Sequence, residues 1–355
     1  MRNHNILGID LAKNVFHACE MNAQGRVLRR ARLSREQLYP WVIKHFKGIV
    51  AMEACGGSQY WARRFEAAGY EVRIMAAQFV KPFVKSNKND TVDAEAICEA
   101  ASRPQMRFVS TRQEWQQDIQ NLHRVRERLV RNRTALANEI RGLLLEYGIV
   151  LPKGISHVRQ KLHVILEAQR SEHSELWHKT FVELYEEFCE IEKRIEGQEA
   201  TLTALCRSRE DCRRLKEIPG VGELTATAIV AAVGNAKAFR NGREFAACLG
   251  LTPKQHSTGG KNTLGRISKC GDPYIRKLLV LGARSSAIAA ERKRNHKDPH
   301  KREVNRTNKW LFEVAARRGG NKAIVALANK TARRIWVVLS GKDFKQPEEL
   351  FPLAA

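Results

Sequence analysis

The 355-residue sequence predicts an α/β domain followed by a mainly helical remainder, an α/β plus α chain. Three observations carry that reading. The first hundred residues hold short apolar runs with β-like character separated by helical stretches. The middle holds two long, polar, charged segments in which Leu, Val and Ile recur at helical spacing. The last third opens on the glycine turn Ile218-Pro219-Gly220-Val221-Gly222 between helical patterns.

Asn5 to Leu11, Val15 to Met21 and Arg26 to Ala31 read as strands, the last two joined by the turn Asn22-Ala23-Gln24-Gly25. A helical stretch from Arg35 to Lys47, a buried strand Ile49 to Glu53, a helix from Ser58 to Ala68 closed by Gly69, and a strand Tyr70 to Met75 follow. Three strands and then alternating helix and strand is the order of an RNase H-like domain, assigned to residues 1–111. In that order the ends of the first and fourth strands become neighbours across the sheet. A further helix is expected from Thr91 to Ala101. Gln113 to Tyr147 and Glu172 to Arg207 read as long antiparallel helices, a coiled-coil segment over residues 112–212 broken by Leu151-Pro152-Lys153-Gly154 and suited to a spacer and dimer surface. Residues 213–345 read as a mainly helical third domain that begins with a helix-hairpin-helix, Leu215 to Gly222 leading into a helix from Glu223 to Val233.

Four carboxylates in the first domain are the candidate chemistry. Asp10 ends the strand ILGID, Glu53 ends IVAME, and Asp90 and Asp93 stand one helical turn apart in NDTVDAEAI, so both can face one point. Taken alone, Asp90 reads sooner as a helix cap; together with Asp10 and Glu53 the balance reverses. Four acids at one point repel unless a cation neutralises them or protons stay bound. Mg²⁺ (or Mn²⁺) matches hard carboxylate oxygens and supports phosphoryl transfer, so all four are candidate metal ligands and catalytic residues.

The rest of the composition points the same way. Sixty-two Lys and Arg against 38 Asp and Glu give a formal net charge of +24, a field that favours nucleic acid. No basic amphipathic anchor stands out, and no apolar run approaches the roughly 20 residues that span a bilayer. The start, MRNHNILGIDLAK, runs straight into a strand rather than a signal peptide, and eight cysteines without a CxxC pair read as reduced thiols of a cytoplasmic protein.

Two glycine motifs are candidate phosphate contacts. At Gly220 and Gly222 the backbone N–H groups can approach a DNA phosphate without side-chain obstruction, or the turn simply packs two helices. The second motif runs Gly250-Leu251-Thr252-Pro253-Lys254-Gln255-His256-Ser257-Thr258-Gly259-Gly260-Lys261 and leads into Leu264-Gly265-Arg266-Ile267-Ser268-Lys269. It reads as a flexible loop whose Ser257, Lys254, Gly259, Gly260 and Lys261 can meet a phosphate. Arg266, Lys269, Arg276 and Lys277 extend it, either as backbone contacts or as an ordinary solvated face, and Arg292-Lys293-Arg294 and Lys301-Arg302 as a flexible nucleic-acid loop.

In this order, GIDLAK, MEACGGS, NDTVDAEAI, IPGVG, GLTPKQHSTGGK and GRISKCGDPYIRKLL closely resemble the DEDD transposases of the insertion sequence 110 family, in detail its 1111 subgroup, over nearly the whole chain. The resemblance implies a RuvC-like domain whose Asp10, Glu53, Asp90 and Asp93 hold metal, a coiled-coil insertion, and a carboxyl-terminal transposase domain with a catalytic serine that forms a 5′-phosphoserine link to DNA. It also implies a structured non-coding guide RNA encoded by the element and action as a dimer or tetramer on DNA. Counting back from Ile267-Ser268-Lys269 places the nucleophile at Ser257; counting forward from Pro253 places it at Thr258. Ser257 is taken, with Thr258 as the alternative. The rival functions are a junction-resolving nuclease that uses water and a non-catalytic scaffold for nucleic acid.

Overall fold

The structure, a computed structural model, describes residues 4–84, 90–233, 236–297 and 305–341, and at residues 90 and 91 the backbone alone. Lys301-Arg302 therefore lie outside the described residues. The chain divides into two compact units, Met1–Glu114 and Trp115–Ala355.

The first unit is built on a six-stranded sheet in the order β3-β2-β1-β4-β5-β6, with β1 Ile6–Asp10, β2 Val15–Met21, β3 Val27–Ser34, β4 Ile49–Glu53, β5 Glu71–Met75 and β6 Phe108–Val109. The first three strands form the expected antiparallel meander, and β4 and β5 then add in parallel to β1. Helices α1 (Arg35–His45) and α2 (Ser58–Ala67) are the crossovers, followed by the short α3 (Ala77–Val80) and by α4 (Asp90–Ala101). Helix α1 starts where Ser34 accepts from the Gln37 N–H and the Gln37 side chain accepts from the Ser34 N–H, a reciprocal cap that fixes the end of β3.

Strand alternation sorts the side chains into two layers. Leu7, Ile9, Val50 and Met52 pack with Phe16, Leu38, Val42, Trp61 and Phe65 on one face. Ile6, Ile49, Ala51 and Met75 pack with Ala94, Ile97 and Cys98 of α4 on the other.

The second unit begins with α5 (Glu114–Leu145), α6 (Ile155–Ala168) and α7 (Glu175–Ser208). Arg126 pairs with Glu199 at 2.5 Å and Arg133 with Glu192 at 2.9 Å, partners whose numbers rise on one helix as they fall on the other, so α5 and α7 run antiparallel as expected. Helix α6 was not expected. Its Val158, Leu162 and Leu166 join Leu136, Ile140 and Leu144 of α5 and Trp177, Phe181 and Phe188 of α7, giving three packed helices at that end. Arg159 of α6 also reaches Glu192, and hydrogen bonds from Arg159 and Arg133 hold that buried carboxyl below the usual range.

Beyond lie α8 (Glu210–Lys216), α9 (Glu223–Ala232), α10 (Gly242–Cys248), the strands β7 (Pro253–Thr258) and β8 (Lys261–Ile267), and α11 (Pro273–Arg294), α12 (Arg306–Arg318) and α13 (Gly320–Leu339). Leu215, Ile218, Ile229, Phe245, Ile275, Leu279, Leu327 and Ile335 form their shared core. The expected helical character holds, but the segment read as a flexible loop is a β-hairpin. Among the described residues no helix is long and apolar enough to cross a membrane.

Candidate functional site

Strand register brings Asp10 and Glu53 together. β1 and β4 are parallel with Ile9 opposite Met52, so Asp10 and Glu53 occupy the next rung at the carboxyl ends of both strands. Each has the parity of the α4-facing residues, Asp10 that of Ile6 and Gly8, and Glu53 that of Ile49 and Ala51. Helix α4 crosses that face close to β1: a methyl on Gly8 would meet the Ala94 carbonyl oxygen at 2.4 Å and the Cys98 sulfur at 2.7 Å. The Cys98 thiol lies 3.0 Å from the Gly8 nitrogen and 3.6 Å from the Ile6 carbonyl oxygen, which seats that turn of α4 on β1. Ala94 and Cys98, one helical turn apart, both seat against Gly8. Asp93, beside Ala94, is half-buried, and the Asp90 side chain lies outside the described residues.

Cys55 reports the charge of this edge. Its sulfur lies 3.9 Å from the Leu11 carbonyl, so the loops that leave β1 and β4 run side by side. Burial first, then the negative charges of Glu53 and Asp10, push the Cys55 thiol up. Two adjacent hard oxygen donors beside a thiol kept protonated suit Mg²⁺ or Mn²⁺ better than a soft metal. Among the described residues no three His, Cys, Asp or Glu side chains are grouped closely enough to hold a metal, so any such site draws on more than this pair.

The serine motif is a hairpin with Gly259-Gly260 as its two-residue turn, at φ +55° and +77°, both in the left-handed region that glycine adopts without strain. Ser257 pairs with Asn262, and Thr258 with Lys261. Strand alternation therefore puts Ser257 on one face with Gln255, Asn262 and Leu264, and Thr258 on the other with His256, Lys261 and Thr263. Lys254, Lys261 and Arg266 are exposed along the hairpin, as is Lys269 beyond it.

Its base is clamped by crossing backbones. A methyl on Gly250 would meet the Cys270 carbonyl oxygen at 2.3 Å, and one on Gly271 the Cys248 carbonyl oxygen at 2.0 Å. Arg276 points into this crossing, its Nη1 donating to the carbonyls of Leu249 and Cys270 at 3.1 and 2.8 Å. Lys277 pairs with Glu127 at 3.0 Å. Lys269 has φ +57°, the sole non-glycine in the left-handed region among the described residues.

At the other motif α8 and α9 form a helical hairpin in which Ile218 and Val221 are buried and Lys216 pairs with Glu223 across the turn. Gly220 lies against α11: a methyl there would meet the Gly282 carbonyl oxygen at 2.8 Å. Gly222, which opens α9, faces unobstructed space.

Three features escape a reading of the sequence. Gln255 and Asn262 flank Ser257, a placement that follows only once Gly-Gly is taken as a two-residue turn. His17 is the cross-strand partner of Asp10, which follows from the β1–β2 register. His123 on α5 is buried with its Nδ1 3.0 Å from the Tyr274 hydroxyl and its Nε2 3.0 Å from Thr227 Oγ1. Thr227 donates its own proton to the Glu223 carbonyl at 2.7 Å, so it accepts from Nε2–H, while Nδ1 accepts from Tyr274. Burial and then the charge of Arg126 lower His123 to about 4. The imidazole is therefore a neutral tie between α5, α9 and α11.

The chain matches known transposases along its length. The DEDD_Tnp_IS110 family model, described as a transposase, matches residues 7–149, and the Transposase IS116/IS110/IS902 family model matches residues 212–300. The transposase for insertion sequence element IS1111A of Coxiella burnetii is 41% identical over 97% of this chain and 92% of its own. A probable family 20 transposase of Pseudomonas aeruginosa is 42% identical over 96% and 98%, and the transposase for insertion sequence element IS1328 of Yersinia enterocolitica 40% identical over 95% and 97%. With both family models matched in order and relatives aligned along nearly their full lengths, the chain belongs to the IS110 family of insertion-sequence transposases.

Proposed function

We propose that this transposase moves its element by phosphoryl transfer in which Ser257 is the nucleophile and Asp10, Glu53, Asp90 and Asp93 hold Mg²⁺ or Mn²⁺. The observation that carries the reading is the rung shared by Asp10 and Glu53 on the face that α4 covers. A bound divalent ion supplies charge neutralisation and stabilises the attacking and leaving oxygens. Ser257 Oγ bonds to phosphorus as the bond to the 3′ oxygen breaks; the serine proton leaves to a base and the 3′ oxygen takes one up. The 5′-phosphoserine ester keeps the phosphodiester free energy for rejoining, which a water nucleophile would lose.

Exposed Lys254, Lys261, Arg266 and Lys269 contact phosphates in this scheme, with the Gly222 N–H as a further contact. Gly220 and Arg276 assist from beneath, by packing on α11 and by bracing the hairpin base, Gly259 and Gly260 shape the turn, and Lys277 is held by its ion pair with Glu127. An element-encoded non-coding RNA selects the DNA by pairing, and the protein acts as a dimer or tetramer.

A denaturing gel tests the nucleophile, with circularised element DNA carrying the joined ends, RNA transcribed from the flanking non-coding segment, and Mg²⁺. A protein–DNA adduct formed by the wild type and Thr258→Ala but not by Ser257→Ala is the expected result. Loss only in Thr258→Ala moves the nucleophile to the other face of the hairpin, and cleavage without any adduct points to water.

A further inference from the structure

We infer that Gln255 and Asn262 are positioning residues that fix the Ser257 hydroxyl in a single orientation for attack, an inference that rests on the serine reading above. Gln255 Nε2 donates to Ser257 Oγ at 2.8 Å and to Asn262 Oδ1 at 3.2 Å, and Ser257 Oγ donates to Asn262 Oδ1 at 2.8 Å. In this triangle Gln255 donates to both neighbours and Asn262 accepts from both. The two amide protons of Gln255 serve one acceptor each, and the hydroxyl proton goes to the remaining lone pair of Asn262.

A serine hydroxyl otherwise rotates freely; here one lone pair and the proton are both committed, which leaves the second lone pair to face outward. All three side chains are exposed, so these hydrogen bonds add little to stability while costing the rotamer freedom of two long polar side chains. Orientation is what the arrangement achieves. A carboxamide oxygen is not a base, so Asn262 holds the proton's direction without removing it, and the proton must pass to another group when Oγ attacks. The same triangle separates Ser257 from Thr258, which the register places on the opposite face, away from both amides.

Single-turnover adduct formation, with the same circular DNA, RNA and Mg²⁺, tests the inference alongside gel-shift affinity for that DNA. Asn262→Ala and Gln255→Ala should slow the saturated rate by about ten- to a hundred-fold, the scale of a misoriented reactant, with affinity unchanged. Asn262→Asp keeps the acceptor oxygen and should restore the saturated rate. Gln255→Glu, which loses both donors, should not restore it.

Alanine variants at the wild-type rate would overturn the inference, as would a loss that appears only as weaker DNA binding. If Ser257→Ala still forms the adduct, or the wild type forms none, the serine reading itself fails and takes this inference with it. The Ser257→Ala lane tells the two failures apart.

Discussion

Asp10 and Glu53 end strands whose Leu7, Ile9, Val50 and Met52 are fully buried, whereas Ser257 stands on a hairpin exposed from Pro253 to Arg266. The acids are placed by the core: shifting β1 by one residue would turn Leu7 and Ile9 out of their layer, and shifting β4 would do the same to Val50 and Met52, so the rung is locked by the packing that folds the domain. The serine is placed by local means, a glycine turn at the tip, crossing backbones at the base, and amide hydrogen bonds beside the hydroxyl. On the proposed chemistry, groups that share a cation need a fixed spacing, and a nucleophile that reaches into DNA needs projection. The two regions therefore answer differently to substitution.

The largest effect should come from the acids themselves. Asp10→Asn or Glu53→Gln should lower recombination by about a hundred- to a thousand-fold with the unfolding midpoint unchanged, measured as circular-junction formation from a plasmid-borne element. Near-normal recombination in either would remove the acid pair from the chemistry.

Packing around the acids comes next. Gly8→Ala drives a methyl into the Ala94 carbonyl and the Cys98 sulfur and should cost about 3 kcal/mol in urea unfolding of the first unit. A neutral result would mean that α4 is not seated on β1 as described.

The hairpin's foundation offers a pH test. His123 is held at about 4 in the fold against an ordinary value of 6.5, so the unfolded chain binds its proton first as pH falls. Stability from this group is complete above pH 6.5 and is lost progressively as pH drops toward 4, by about 3 kcal/mol. His123→Gln should flatten that part of the curve for the second unit; an unchanged slope would place the titration elsewhere.

The smallest effect should be at the tip. Gly260→Ala, at φ +77° with open space around it, should cost about 1 kcal/mol of local strain and barely move global unfolding. It nevertheless disturbs the Ser257 register and should slow recombination, which separates activity from stability at the hairpin as the acids do at the sheet.

Much of the first unit was legible in the sequence because burial leaves a pattern. Runs such as Ile49-Val50-Ala51-Met52 announce a strand covered on both faces, and the order of strands and helices then sets the neighbours of Asp10. The hairpin left no such mark: every residue from Pro253 to Arg266 faces solvent, so no apolar alternation betrays the strands, and Gly259-Gly260 reads as flexibility until both are seen at positive φ. Helix α6 was obscured by the Pro152-Lys153-Gly154 break before it. The inward turn of Arg276 and the burial of His123 were invisible for another reason, since each depends on a partner far along the chain, Leu249 in one case and Thr227 and Tyr274 in the other.

The measurement that bears most directly on the central claim is mass spectrometry of the hairpin peptide after the protein–DNA adduct is digested with protease and nuclease. A nucleotide phosphate attached at Ser257 is the predicted result. Attachment at Thr258, or an adduct that maps to a peptide outside Pro253–Ile267, would contradict it.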